Sequence, residues 1–118
     1  MKIILDTNAL MAITQFKIDL FSQLRGHEIY TVNTVIRELE KLGKGTSKRA
    51  KAAQLAIGMI KRKHLKVLKS KEKSADKSLI LYAKRGYIIA TQDRILRKKI
   101  KDQGGQAIYI RQRKYVII

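Results

Sequence analysis

The sequence predicts a single α/β domain built around a mostly parallel sheet. Three observations support this prediction. Short apolar runs alternate with segments that carry apolar residues at helical spacing. The chain has 118 residues, of which 45% are hydrophobic, so it can bury one core. It contains no proline and shows no linker that would divide it. We therefore interpret residues 1–118 as one domain.

The apolar runs predict the strands of the sheet. They are short and rich in isoleucine and valine, and polar or glycine-containing segments bound them. The predicted strands cover residues 1–5, 28–32, 65–68, 87–91 and 107–110, with 115–118 as a further edge strand. The polar triplet Asp6-Thr7-Asn8 follows the first strand and predicts a turn.

The segments between the strands predict helices. Ser47 and Ser74 stand where N-caps are expected, and Gly43, Gly86 and Gly104 stand where helices should stop. The predicted helices cover residues 19–25, 33 or 34 to 42, 47–62, 74–85, and 92 or 93 to 103.

The composition excludes several classes of protein. Without cysteine there can be no disulfide scaffold, no thiolate nucleophile and no cysteine-ligated metal centre, and two histidines do not suffice for a structural zinc site. No apolar run reaches 18 residues, and an acid follows the first strand too early for a signal peptide. We therefore expect a cytoplasmic protein that does not act at a membrane.

The charge balance predicts a polyanionic partner. There are 27 lysines and arginines against 9 acids, a net charge of +18, and such an excess repels itself unless a nucleic acid neutralises it. The alternative is a lysine-rich surface that serves solubility or heat tolerance. The residues expected to contact RNA are Lys44, Lys48, Arg49, Lys51, Arg94, Arg97, Lys98, Arg111, Arg113 and Lys114.

Four of the nine acids are expected at one edge of the sheet. Asp6 follows the first predicted strand, and Asp93 follows the fourth. Glu38 and Asp76 lie in the helices after the second and third strands. Open parallel sheets bind their ligands at the carboxyl ends of the strands, so four separate segments could bring carboxylates together there.

Each acid also has a purely structural interpretation, and these alternatives stay open. Asp6 could form a turn with its own backbone, and Asp76 and Asp93 could stabilise helix N-termini. Glu38 could pair with Lys41 along an exposed helix face.

A carboxylate cluster needs a counter-charge, because like charges in one site repel. Mg²⁺ or Mn²⁺ suits oxygen ligands in a hydrated site. Such an ion can acidify a bound water and neutralise a phosphate. Acidic ligands within a basic domain therefore indicate phosphodiester hydrolysis.

Several segments resemble the PIN-domain nucleases. They are ILDTN in the first strand, VIRELEKLG with its acid, SAD at the start of a later helix, and ATQDRILRKKI, all in the expected order. VIRELEKLG and the stretch from Tyr87 to the C-terminal IYIRQRKYVI resemble more specifically the archaeal relatives of the small-subunit processome nuclease, which acts in early rRNA maturation.

The resemblance implies a PIN-like three-layer sandwich with strand order 3-2-1-4-5 and a metal-dependent endoribonuclease activity. It also implies that Asp6, Glu38, Asp76 and Asp93 are the catalytic, metal-binding acids. Asn8 and Thr91 match positions that support the first and last acids by hydrogen bonds. Lys77 and Ile95 depart from the subfamily, whose members often carry a further acid at these positions.

Three hypotheses follow for the function. The favoured one is a Mg²⁺- or Mn²⁺-dependent endoribonuclease that processes structured precursor rRNA, with ribosome-assembly proteins and a second copy of the chain as candidate partners. The second is a ribonuclease toxin of the toxin–antitoxin type. The third, suggested by Lys77 and Ile95, is a non-catalytic RNA-binding assembly factor.

Overall fold

The computed structural model describes residues 1–111 and the backbone of residues 115–117. Strands and helices alternate along the chain. The strands are β1 (Lys2–Leu5), β2 (Glu28–Val32), β3 (Lys66–Leu68), β4 (Ile88–Ala90), β5 (Gln106–Arg111) and β6 (Tyr115–Ile117). The helices are α1 (Thr7–Phe16), α2 (Leu20–Gln23), α3 (Asn33–Leu42), α4 (Lys48–Arg62), α5 (Ala75–Lys84) and α6 (Arg94–Asp102).

The strands form one sheet in the order β3-β2-β1-β4-β5-β6. The first five are parallel, which confirms the predicted order 3-2-1-4-5, and β6 lies antiparallel to β5. Ile3 of β1 is in register with Ile29 of β2 and with Ile88 of β4. The chain order reverses between β1 and β4, and ligands of open α/β sheets bind at such a switch point.

Helices cover both faces of the sheet. α1, α3 and α4 pack against one another, and α5 packs against α6; right-handed crossovers place these two groups on opposite faces. The core lies between the layers, where Ile4, Leu5 and Ile89 have no exposed surface. No helix in the described ranges is long and apolar enough to cross a membrane.

The turn predicted at Asp6-Thr7-Asn8 is wrong, because α1 begins there. Asp6 has extended backbone angles (φ −78°, ψ 166°), and its side chain accepts a hydrogen bond from the Thr7 N–H, which caps the helix. Ala9 through Ile13 are all buried, so α1 lacks the amphipathic pattern by which a surface helix is recognised in a sequence.

Candidate active site

The switch point of the sheet brings two sequence-distant segments together. Asp6 follows the central strand β1, and Thr91 and Asp93 follow its neighbour β4. The Asp6 N–H donates to the carbonyl oxygen of Ala90 over 2.9 Å, which continues the β1–β4 pairing up to the acid. The predicted first and last acids therefore stand at the same edge.

Asp6 is a buried carboxylate held from two sides. Its Oδ1 accepts from the Thr7 N–H at 2.6 Å, and its Oδ2 accepts from the Thr91 hydroxyl at 2.7 Å. Burial raises the pKa of Asp6 to about 6, against the lowering effect of these two hydrogen bonds. The charges of Glu38 and Asp76 raise the pKa further.

Thr91 joins the two ends of the site. It is fully buried, and its Oγ1 both donates to Asp6 and accepts from the Asp93 N–H at 3.1 Å. Asn8, the other expected supporting residue, has an exposed side chain that makes no hydrogen bond within the described residues. The backbone N–H of Thr7 makes the second contact with Asp6 instead.

Asp93 is the N-cap of α6. Its Oδ1 accepts from the N–H groups of Ile95 at 2.9 Å and Leu96 at 3.2 Å, so the structural alternative considered for this acid is realised. Oδ2 accepts no hydrogen bond from any described residue and stays available to a ligand.

Glu38 and Asp76 face a common cleft of about 280 Å³ between α3 and the start of α5. Both side chains are exposed. The alternative ion pair between Glu38 and Lys41 is not formed. Within residues 1–111, the oppositely charged side chains that come within 4 Å of each other are Lys98 and Asp102. Asp76 lies in the first turn of α5, where its charge complements the helix N-terminus, so its structural alternative is compatible with the fold. The N-cap itself is Ser74, whose side chain accepts from the Lys77 N–H at 3.2 Å.

A polar network that the sequence analysis missed holds the two sides of this cleft. The Asn33 side chain donates to the Ser70 carbonyl at 3.1 Å and accepts from the Ser70 N–H at 3.0 Å. The buried hydroxyls of Thr34 and Ser78 lie 3.1 Å apart, and Ser78 Oγ lies 2.8 Å from Ser70 Oγ. The network fixes α3 against α5. In the sequence, the signal for this network is that Thr34 and Ser78 carry hydroxyl groups at helix positions that face inward.

Most residues expected to contact RNA lie on the surface. Arg97 is the exception: its Nη1 donates to the Thr91 carbonyl at 3.2 Å, and its guanidinium lies 4.3 Å from the ring centre of Tyr109. Arg97 is half-buried, and these two contacts hold its guanidinium next to Thr91 and Tyr109. Arg113 and Lys114 lie outside the described residues. The exposed members are Lys44, Lys48, Arg49, Lys51, Arg94, Lys98 and Arg111.

The donor chemistry of the site fits a hard divalent cation. Its side chains offer carboxylate oxygens, the ligands that Mg²⁺ and Mn²⁺ prefer. Asp6 carries the burial and repulsion that a cation would relieve. As they stand, no three acidic or histidine side chains in the described ranges are grouped closely enough to hold an ion.

This α/β fold, with acids at its switch point, defines the class of domain to which the chain belongs. Residues 3–113 match the family model described as a PIN like domain. The chain is a member of the PIN-like domain family, as its motifs predicted.

Two similar proteins extend over nearly the whole chain. Ribonuclease VapC9 of Archaeoglobus fulgidus is 34% identical over 120 residues, covering 98% of this chain and 87% of that protein. Ribonuclease VapC4 of Methanocaldococcus jannaschii is 30% identical over 124 residues, covering 97% of this chain and 93% of that protein. A solved domain of a functionally unknown protein from Methanocaldococcus jannaschii shares the fold. Its TM-score is 0.64 at 19% identity, over 92% of this chain and 90% of that one.

Proposed function

We propose that the protein is a metal-dependent endoribonuclease of the toxin–antitoxin type. The observation that carries the proposal is the buried Asp6 carboxylate at the switch point of a PIN-like sheet, together with the cleft that Glu38 and Asp76 line. The two relatives named as ribonucleases match almost end to end. They favour the toxin–antitoxin hypothesis over the rRNA-processing relation that the motifs suggested.

In this proposal Asp6, Glu38, Asp76 and Asp93 hold Mg²⁺ or Mn²⁺. When bound, the ion supplies an acidified water and neutralises charge on the phosphate. Thr7 and Thr91 orient the Asp6 carboxylate through its two oxygens. Asp93 uses Oδ1 to fix its position on α6 and offers Oδ2 to the site. Glu38 and Asp76 close the site from the cleft side.

The rRNA-processing hypothesis is the second candidate, and the net charge of +18 favours it. A broadly basic surface suits a large structured RNA, since each neutralised phosphate adds to affinity. A small partner protein encoded next to this chain would favour the toxin–antitoxin hypothesis instead.

Cleavage of labelled RNA tests the proposal. A precursor rRNA fragment and a mixture of transfer and messenger RNAs are incubated with Mn²⁺, Mg²⁺ or EDTA. Glu38→Gln and Glu40→Gln form a matched pair on the same helix. Glu38→Gln removes a carboxylate of the proposed site, whereas Glu40→Gln removes an exposed carboxylate that has no role in the site. We expect discrete products that require metal, disappear in Glu38→Gln and persist in Glu40→Gln.

The substrate decides between the two nuclease hypotheses. Cleavage confined to the precursor fragment supports rRNA processing, and cleavage of one transfer or messenger RNA supports the toxin type. Binding of RNA without cleavage of any substrate, with metal present, would overturn the enzyme proposal in favour of a non-catalytic RNA-binding factor.

A further inference from the structure

The cleft that holds Glu38 and Asp76 is also lined by three cationic side chains. They are Arg37 and Lys41 of α3 and Lys73 from the loop before α5. None of the three was among the residues that the sequence analysis assigned to RNA. Acids that could hold a cation and bases that could hold an anion thus share one small depression.

These cations are not neutralised by the acids beside them. Lys41 is three residues from Glu38, and Lys73 is next to Glu72. In neither pair does the ammonium nitrogen come within 4 Å of a carboxylate oxygen. Within residues 1–111, Lys98 and Asp102 form the ion pair within this limit, at 3.8 Å. All three cationic side chains are exposed. Their positive charge is therefore available to a ligand.

The three cations are held to different degrees. Arg37 Nη2 donates to the Glu72 carbonyl at 3.4 Å, a long hydrogen bond that directs the guanidinium toward the loop. The ammonium groups of Lys41 and Lys73 make no hydrogen bond to any described residue, so each keeps three donors for a ligand.

We propose that this cleft binds a phosphodiester unit of the RNA backbone, with Lys41 and Lys73 as its principal contacts. The proposal rests on the ribonuclease function and adds the place where the strand meets the acids. The volume of about 280 Å³ lies just below the range of about 300–1,000 Å³ for small-molecule pockets. It suits one sugar–phosphate unit rather than a duplex. The cations place the phosphate beside Glu38 and Asp76, where cleavage needs it.

RNA binding in EDTA tests this contact without relying on catalysis. A labelled single-stranded RNA is titrated at several salt concentrations with wild type, Lys41→Gln, Lys73→Gln and the double variant. The matched control is Lys84→Gln: Lys84 is exposed at the other end of α5, about 12 Å along the helix axis from Asp76.

We expect the double variant to bind about tenfold more weakly at moderate salt. Its slope of log affinity against log salt should fall by about 0.7, the contribution of one neutralised phosphate on a single strand. Lys84→Gln should match wild type. In cleavage assays the double variant should raise KM more than it lowers kcat.

The outcomes separate this inference from the proposed function. If both lysine variants bind and cleave like Lys84→Gln while Glu38→Gln loses cleavage, the RNA does not use this cleft and the nuclease function stands. If wild type fails to cleave any RNA but the double variant loses affinity and salt slope, the contact stands and the nuclease function fails. Equal loss in the Lys84→Gln control would mean that only overall charge matters, and would overturn the inference.

Discussion

Asp6 is a buried acid whose ionisation lowers the stability of the fold. Its carboxylate is 4% exposed, and burial raises its pKa to about 6. The ordinary value is 3.8, so the folded state disfavours the ionised form. The free energy of unfolding is therefore reduced wherever Asp6 is charged. It falls as the pH rises from about 4 through 6, by about 3 kcal/mol for a shift of this size.

Replacing Asp6 with asparagine should remove this pH dependence. The amide is neutral at every pH, and the Thr91 hydroxyl can turn to accept from it. We expect Asp6→Asn to unfold with a free energy up to about 3 kcal/mol higher than wild type at pH 8, and similar to wild type near pH 4. Urea denaturation of both proteins between pH 4 and pH 8 measures this difference in the free energy of unfolding. Equal or lower stability of the variant at pH 8 would contradict the assigned burial cost.

Thr91 should show the opposite effect. Thr91→Val keeps the shape of the side chain but removes the hydroxyl that donates to Asp6. That hydrogen bond lowers the pKa of Asp6, so its loss should raise the pKa further and cost about 1–3 kcal/mol of stability at pH 8. The loss should be smaller at pH 4, where Asp6 is protonated. Thr91→Ser is the control, because it keeps the hydroxyl. A loss in Thr91→Val that does not depend on pH would come from packing and from the lost hydrogen bond of the Asp93 N–H, and not from Asp6.

At the scale of the elements, Asp93 caps α6, and we propose that it also binds the metal ion. Asp93 Oδ1 accepts from two N–H groups in the first turn of α6, and replacing such a cap with alanine typically costs about 1 kcal/mol. Asp93→Ser should keep the cap while it removes the charge.

We therefore expect Asp93→Ala to be about 1 kcal/mol less stable than Asp93→Ser, and both to lose metal-dependent cleavage. Thermal denaturation and the cleavage assay measure the two effects separately. Full activity in Asp93→Ser would show that Asp93 is a helix cap only.

The elements also show what could be predicted from the sequence. β2 was predicted at residues 28–32, as observed, because its polar and glycine-containing boundaries are local. α1 was missed because its buried face extends almost all the way around. The hydrogen bonds between Asn33 and Ser70 join positions 37 residues apart, and periodicity carries no information about such a contact. The positions of Asp6 and Asp93 at the sheet edge follow from the strand ends, whereas the direction of each side chain does not.

At the scale of the whole molecule, the topology of the sheet explains how a chain with few acids could assemble a metal site. The order reversal between β1 and β4 places Asp6 and Asp93 on neighbouring strand ends, and α3 and α5 bring Glu38 and Asp76 to the same side. Exposed cations line the cleft beside Glu38 and Asp76 and attract an RNA strand, whereas the carboxylates attract a divalent cation. We propose that these four acids form one metal site.

Mn²⁺ binding measured by electron paramagnetic resonance tests that claim most directly, because bound Mn²⁺ loses the signal of the free ion. The titration is made at pH 7.5, above the pKa of Asp6, with wild type, Asp76→Asn and the exposed control Asp102→Asn. We predict saturable binding in wild type and in Asp102→Asn, and affinity weakened about tenfold or more in Asp76→Asn, which loses a carboxylate ligand. No binding by wild type at millimolar Mn²⁺, or equal binding by Asp76→Asn, would contradict the account.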